Sequence, residues 1–264
     1  MGIVFSLFLS ILLSLYHPAK AEDGKSPKTI GETFLGEELH YEIDFWIIKG
    51  IADVVLSFSR DSEKGRYVIT LKGKTKGIIG YALRQREDYY RAVSEEIDGG
   101  RKLRTVYYEE YVKIGSKTRK NIHFFDHEKR RWIHKYYKDG RERRETVKEI
   151  PNNADYNDFL TAAYNFRYGV YGDIRGGGIY KVPVFPRRGI AHYEVKVSSY
   201  EGSQSFSEKA FFVELKVDPE LINSSQGIIE GLLSHDLYPV EGVIRDVVFF
   251  GDVKGRLKRR IKTS

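Results

Sequence analysis

The sequence contains no cysteine, and that absence removes several chemistries at once. No disulfide can staple the fold, no thiolate can act as nucleophile, and no Cys-based metal site can form. Lipid anchoring through a cysteine placed directly behind a leader is excluded too. A membrane-spanning hydrophobic run is also missing. The apolar stretch Ile3–Tyr16 has about 14 residues, against the roughly 20 that a helix needs to cross a bilayer. No Gly-x-Ser-x-Gly elbow accompanies His235-Asp236, and Gly176-Gly-Gly178 lacks the Lys-Ser/Thr of a phosphate loop. No repeat of fixed period and no inter-domain linker is evident.

What remains points to export. Ile3–Tyr16 is followed by Pro18 and then Ala19-Lys20-Ala21, small residues that suit the shallow pockets of a signal peptidase. This predicts a signal peptide over residues 1–21, cut after Ala21, and a single β-rich domain over 22–264. No Lys or Arg precedes the apolar run, so an uncleaved anchor is the alternative. With 41% hydrophobic and 14% aromatic residues, the chain can build a core without disulfides. The net charge of +7 is unevenly placed. Basic residues crowd Val112–Glu149 and the tail Gly251–Ser264, where they either attract an anionic surface or coat the solvent face of a sheet.

Period-2 alternation dominates the pattern. Leu39, Tyr41, Ile43, Phe45 and Ile47 share one parity; after Lys49-Gly50, Ala52, Val54, Leu56 and Phe58 repeat it. Turn residues at Asp61–Gly65, Asp98–Gly100, Asp126–Lys129, Lys138–Gly140, Glu201-Gly202 and Gly251-Asp252 punctuate further alternating segments. The fold predicted is mainly β, a curved antiparallel sheet or open half-barrel of roughly a dozen strands. Several strands are apolar on both faces and must curl or be covered. One segment breaks the pattern: Tyr156, Phe159, Leu160, Ala163 and Phe166 recur at helical spacing, predicting a capping helix over about 155–168 that ends at Gly169.

No catalytic or metal-ligating constellation emerges. His123, Asp126 and His127 form the only local His/Asp cluster, but Asp126 begins a turn, so their convergence on one ion is not expected. Glu109 and Glu110 point to opposite faces of a strand and cannot flank one bond. Asp155 and Asp158 suit a helix start. Lys76-Gly77-Ile78-Ile79-Gly80-Tyr81 is an apolar tip on a permissive backbone, readable as a flap at a cavity mouth or as a packed turn.

Taken in order, Gly36-Glu37-x-Leu39-x-Tyr41-x-Ile43, Gly50-Ile51-Ala52, Thr75-Lys76-Gly77, Arg86-Glu87-Asp88 and Phe125-Asp126-His127 form a recognisable series. It continues with Asp158-Phe-Leu-Thr-Ala-Ala-Tyr164, Arg167, Ser234-His-Asp236, Pro239-Val240 and Phe250-Gly251-x-Val253-x-x-x-Leu257. The series resembles the bacterial domain-of-unknown-function 3108 family over nearly the whole mature chain. Glu230 and the added length around 176–178 depart from it. The resemblance implies an exported, β-rich protein of the Gram-negative envelope, with no agreed activity and no catalytic residues to carry over. Its architecture is similar to the open half-barrels of periplasmic lipoprotein carriers, in which a curved sheet cups an apolar ligand under helical lids.

The function expected is therefore non-enzymatic: a periplasmic protein that binds or chaperones a hydrophobic or amphiphilic envelope component such as a lipid, lipoprotein or glycolipid. Leu56, Phe58, Ile78, Ile79, Phe159 and Phe166 are the expected apolar lining, and Arg130, Arg131, Arg143 and Arg144 the contacts to an anionic headgroup. No metal or cofactor is expected, and no nucleic acid. The expected partners are a lipid or lipoprotein and an anionic membrane surface; oligomeric state stays open. The alternative is a structural protein–protein module with a filled core.

Overall fold

The computed structural model describes residues 28–263 except 64, 153, 188–189, 201–208, 218, 223 and 248–250. The signal peptide expected over 1–21 and the Glu201-Gly202 turn lie outside the described residues. In chain order the strands are β1 (Glu37–Phe45), β2 (Ile48–Arg60), β3 (Arg66–Thr75), β4 (Glu87–Ile97), β5 (Lys102–Ile114), β6 (Lys117–Asp126) and β7 (Arg131–Lys138). They continue as β8 (Arg141–Glu149), β9 (Ile179–Arg187), β10 (Ile190–Ser199), β11 (Lys209–Lys216), β12 (Ile228–Ser234), β13 (Pro239–Val247) and β14 (Gly251–Lys262). The helices that position the site are α1 (Ile30–Phe34), α2 (Gly77–Ala82) and α3 (Phe159–Arg167).

The strands make one open antiparallel sheet of 14, a little above the expected dozen. Two hairpin-linked runs, β1–β8 and β9–β14, are joined where β14 pairs with β1, leaving β8 and β9 as the edges. The first hairpin forms as the alternation predicts, with Leu39 opposite Leu56 and Tyr41 opposite Val54. Lys49-Gly50, which separates the two alternating runs, lies within β2. Phe45 pairs with Ile48, so Trp46-Ile47 make the turn. Gly50 donates its N–H to the Asp44 carboxylate at 2.9 Å. The basic tail, readable as a binding arm, is β14 at the middle of the sheet. Acids on its neighbours answer its cations: Arg256 meets Asp44 at 2.5 Å, Lys254 meets Glu241 at 2.5 Å and Lys258 meets Glu42 at 2.9 Å.

The sheet curls until its two ends meet through side chains. Phe185 on β9 lies 4.8–5.9 Å, ring to ring, from Tyr108, His123, Phe125 and Trp132 on β5, β6 and β7. Its backbone N–H donates to the Asn157 carbonyl at 2.9 Å, so the segment before α3 covers this edge. The other edge, β8, is exposed along nearly its whole length and studded with charge, which blunts strand-to-strand association.

Helix α3 lies inside the curl, and every residue from Leu160 to Arg167 is buried. It is shorter than the 155–168 expected because the preceding residues bond to the sheet. Asn157 accepts the Thr105 N–H at 3.2 Å, and Lys102 pairs with Asp155 at 2.6 Å. Asp158 is the N-cap. Its carboxylate accepts from the N–H groups of Leu160 and Thr161 and from the hydroxyls of Thr105 and Thr161. Replacing Asp158 by alanine removes the acceptor of all four bonds, and chemical denaturation is expected to register a loss of about 2 kcal/mol. At the other end of α3, Arg167 makes a bidentate ion pair with Glu37 of β1, at 2.5 and 2.8 Å, with both side chains buried.

Candidate functional site

The outer face of β11–β14 and β1 carries a cleft of about 670 Å³, within the range of small-molecule sites. Strand register lays the residues of this face in two rows, of which Phe212, Leu232, Glu241, Glu230, Val243, Lys254 and Asp44 line the cleft. Phe212, Leu232, Glu241, Arg256 and Glu42 face one another in turn across β11, β12, β13, β14 and β1. One step nearer the Trp46 turn run Glu214, Glu230, Val243, Lys254 and Asp44. Phe212, Leu232 and Val243, all half-buried, therefore make an apolar diagonal that leads toward Trp46.

Glycine helps shape this region. Gly231, Gly242 and Gly255 are register partners on three adjacent strands, at positions where the flanking alternate residues Ile229, Ile244 and Val253 point into the core. A row without inner side chains removes the side-chain bulk that would oppose bending of β12–β14 there, the role glycine has at barrel corners.

The cleft's charges are matched within it. Arg245 bridges Glu230 at 2.7 Å and Asp252 at 2.5 Å, and hydrogen bonds to these two carboxylates raise its already high pKa. Lys49 lies 3.4 Å from Asp44. Such a site offers an apolar strip beside a rim of paired charge.

The residues singled out from sequence are scattered. Leu56, Phe58 and Phe166 are buried in the core. The Phe58 ring lies 4.8 Å from Tyr164 and 6.0 Å from Phe34, and Phe166 packs 5.4 Å from Tyr180. Phe159 is half-buried between Tyr90 and Tyr108. The Lys76–Tyr81 stretch is α2, and it divides the two isoleucines: Ile79 packs partly against the core, while Ile78 faces solvent. Arg130 reaches Glu149 and the Ile150 carbonyl near one end of β7, with Arg131 beside it. Arg144 sits opposite Tyr136, five positions further along, or roughly 17 Å, and Arg143 is its neighbour on β8. The structure does not gather these four arginines.

His123, Asp126 and His127 do not converge. His123 accepts from the Trp132 indole and stacks on His134, Asp126 accepts from Lys129 N–H, and His127 meets the Thr105 carbonyl at 2.7 Å. Burial lowers the His127 pKa. No cluster of metal-ligating side chains occurs among the described residues. The Gly176–Gly178 stretch extends the β9–β10 ladder, with Gly177 N–H donating to Val197 O and Val197 N–H to Gly178 O. A Cβ at Gly178 would lie 2.4 Å from the Tyr180 hydroxyl, so glycine serves a close approach there. Sequence reading missed the cleft because Phe212, Leu232 and Val243 look like ordinary strand residues; register alone unites them.

The sequence matches the profile described as "Protein of unknown function (DUF3108)" over residues 40–261. The chain belongs to the DUF3108 family. Several motifs by which this DUF3108 chain was legible prove to be its buried polar framework: Glu37 with Arg167, Asp158 at the helix start, and Arg86 paired with Asp88 at 2.8 Å. Tyr41 belongs to it as well, donating to the Pro239 carbonyl at 2.9 Å. No curated protein matches the sequence significantly. Among solved structures, the DUF3108 chain is similar to a beta-barrel-like DUF1849 protein from Brucella abortus, at 12% identity and a TM-score of 0.49, covering 88% of this chain and 99% of that one. It is also matched to a Bacteroides fragilis protein with a YmcC-like fold, described as exported on inference, at 9% identity and a TM-score of 0.26, covering 86% and 96%. Likenesses of this degree say nothing about what either protein binds. No helix of the described residues is long and apolar enough to cross a membrane.

Proposed function

We propose that this DUF3108 protein is an exported, non-enzymatic binding protein of the Gram-negative envelope, and that it holds an amphiphilic component in the outer cleft. The observation that carries the reading is the cleft itself: about 670 Å³, with an apolar diagonal of Phe212, Leu232 and Val243 beside charges already matched to one another. The apolar N-terminal stretch and the Ala19-Lys20-Ala21 motif support periplasmic export.

Native mass spectrometry of protein recovered from an expressing Gram-negative host tests this. A lipid-sized adduct is expected on the wild type, and Leu232→Arg is expected to lower its occupancy roughly tenfold by placing a charge on the apolar strip. Wild-type protein free of any adduct, or an adduct indifferent to Leu232→Arg, defeats the cleft reading. A protein–protein module is the second reading, favoured by an interior packed with α1, α3 and the Phe34–Phe58–Tyr164 rings. Stoichiometric co-purifying protein without lipid is its signature.

A further inference from the structure

Strand directions place the β1–β2 turn, α2 and the β5–β6 turn at one end of the sheet, and hydrogen bonds join them. Lys76 N–H donates to Ile51 O, and Gly115 N–H donates to Arg84 O just beyond α2. Trp46 N–H, on the other side, donates to Asp252 O of β14. This end carries large apolar side chains in water: Trp46 and Ile47 are each 70% exposed, Ile78 87% and Tyr81 80%. Ile48 is partly exposed beside them. Apolar tips gathered at one end of a molecule mark an interaction surface, whereas single exposed ones need no explanation.

Backbone conformation strengthens the point. Trp46 has φ 50°, the left-handed region that glycine usually fills at the first central position of a two-residue hairpin turn. A bulky side chain there is both strained and exposed, and both costs are met at the same tip. Arg84 and Gln85, which follow α2, also have positive φ.

The collar of this end is basic. Lys49, Lys74, Lys76, Arg84, Lys113 and Lys117 surround the tips. Glu42, Asp44, Asp53 and Glu87 answer four of them. Arg84 and Lys117 have no acidic partner among the described residues. Tryptophan and tyrosine favour the headgroup level of a bilayer, aliphatic tips reach just below it, and lysine and arginine draw the surface toward anionic headgroups.

We infer that this end of the sheet docks on the surface of an anionic phospholipid bilayer, inserting Trp46, Ile47 and Ile78 to the depth of the headgroup boundary. Trp46 lines both the tip and the cleft. Docking would thus present the cleft mouth to the lipid surface, but it does not depend on the cleft being filled.

The test uses protein recovered from an expressing Gram-negative host and vesicles of phosphatidylcholine with or without phosphatidylglycerol. Only two tryptophans are present and Trp132 is buried, so an emission change on vesicle addition reports Trp46. A blue shift and co-sedimentation with phosphatidylglycerol vesicles are expected, weakened by salt. Trp46→Ser/Ile78→Ser and, separately, Arg84→Glu/Lys117→Glu are each expected to weaken binding roughly tenfold with unchanged thermal melting. The inference is overturned by an unshifted emission, by binding that neither double variant weakens, or by binding to native envelope vesicles alone that trypsin abolishes, which would mean a protein partner. Failure of Leu232→Arg to affect an adduct leaves this result untouched, so the two proposals fall separately.

Discussion

Replacing Arg167 by methionine is expected to destabilise the protein by about 3–5 kcal/mol at neutral pH. The guanidinium is fully enclosed, forks onto Glu37, donates through Nε to the Leu237 carbonyl at 3.1 Å, and lies over the rings of Phe34 and Tyr164. Methionine fills much of the volume but leaves the Glu37 carboxylate buried, with the Tyr164 hydroxyl at 3.1 Å as its remaining donor among those named. The effect carries a pH signature. Burial alone would raise the Glu37 pKa, but Arg167, with smaller contributions from Lys262 and Arg260, holds the carboxyl below its ordinary value. In the wild type the pair therefore contributes stability above the unfolded-state pKa of glutamate, and that stability is lost as pH falls through the lowered folded-state pKa. In Arg167→Met burial prevails, Glu37 favours the protonated form, and the deficit shrinks on acidification. Urea titrations near pH 7 and about pH 4.5 compare the two, and equal deficits at both would sink the argument. Adding Glu37→Gln is expected to recover much of the loss, because the uncompensated charge goes with it.

Replacing Phe58 by alanine is expected to cost about 3–5 kcal/mol and to lower the melting temperature by on the order of 10 °C. Phe58 is buried on the inner face of β2, ringed by Phe34, Tyr67 and Tyr164 at 6.0, 5.3 and 4.8 Å. Removing it leaves a hole that α1, α3 and the sheet cannot all close. The measurement also separates two views of this interior. If Phe58 lined a ligand cavity, truncation would enlarge that cavity and change ligand uptake at little cost in stability. Scanning calorimetry decides: a drop of only a degree or two would reopen the hollow-interior reading of Leu56, Phe58 and Phe166.

Much of the fold was legible because hydrogen-bonded hairpins are local. The alternation of Leu39, Tyr41 and Ile43 with their polar neighbours, and turn residues such as Asp61–Gly65 and Asp98–Gly100, marked strands that the structure contains. The helical spacing of Leu160, Ala163 and Phe166 marked α3. Its start was misjudged because Asp155 and Asn157, polar enough to cap a helix, bond to β5 instead. The first turn went unmarked: Ile47 continues the strand parity, and Trp46-Ile47 has none of the usual turn chemistry. That mismatch is itself the signal that singles out the tip. The candidate cleft was not legible, since Phe212, Leu232, Val243 and Trp46 come from three strands and a distant turn.

By itself, then, the sequence determined the chemistry withheld from this protein, through the lack of cysteine, and determined its strands and its interior helix. Side-chain periodicity records which residues turn inward, and turn propensity records where the chain reverses; both act over a few residues. Only the tertiary structure decided that β14 closes onto β1, that Phe185 draws the two edges together, and that the apolar tips of a turn and a short helix share one end of the sheet. These pairings join residues up to more than two hundred positions apart, and the register and curl that bring them together depend on the whole sheet packing around Arg167 and Glu37.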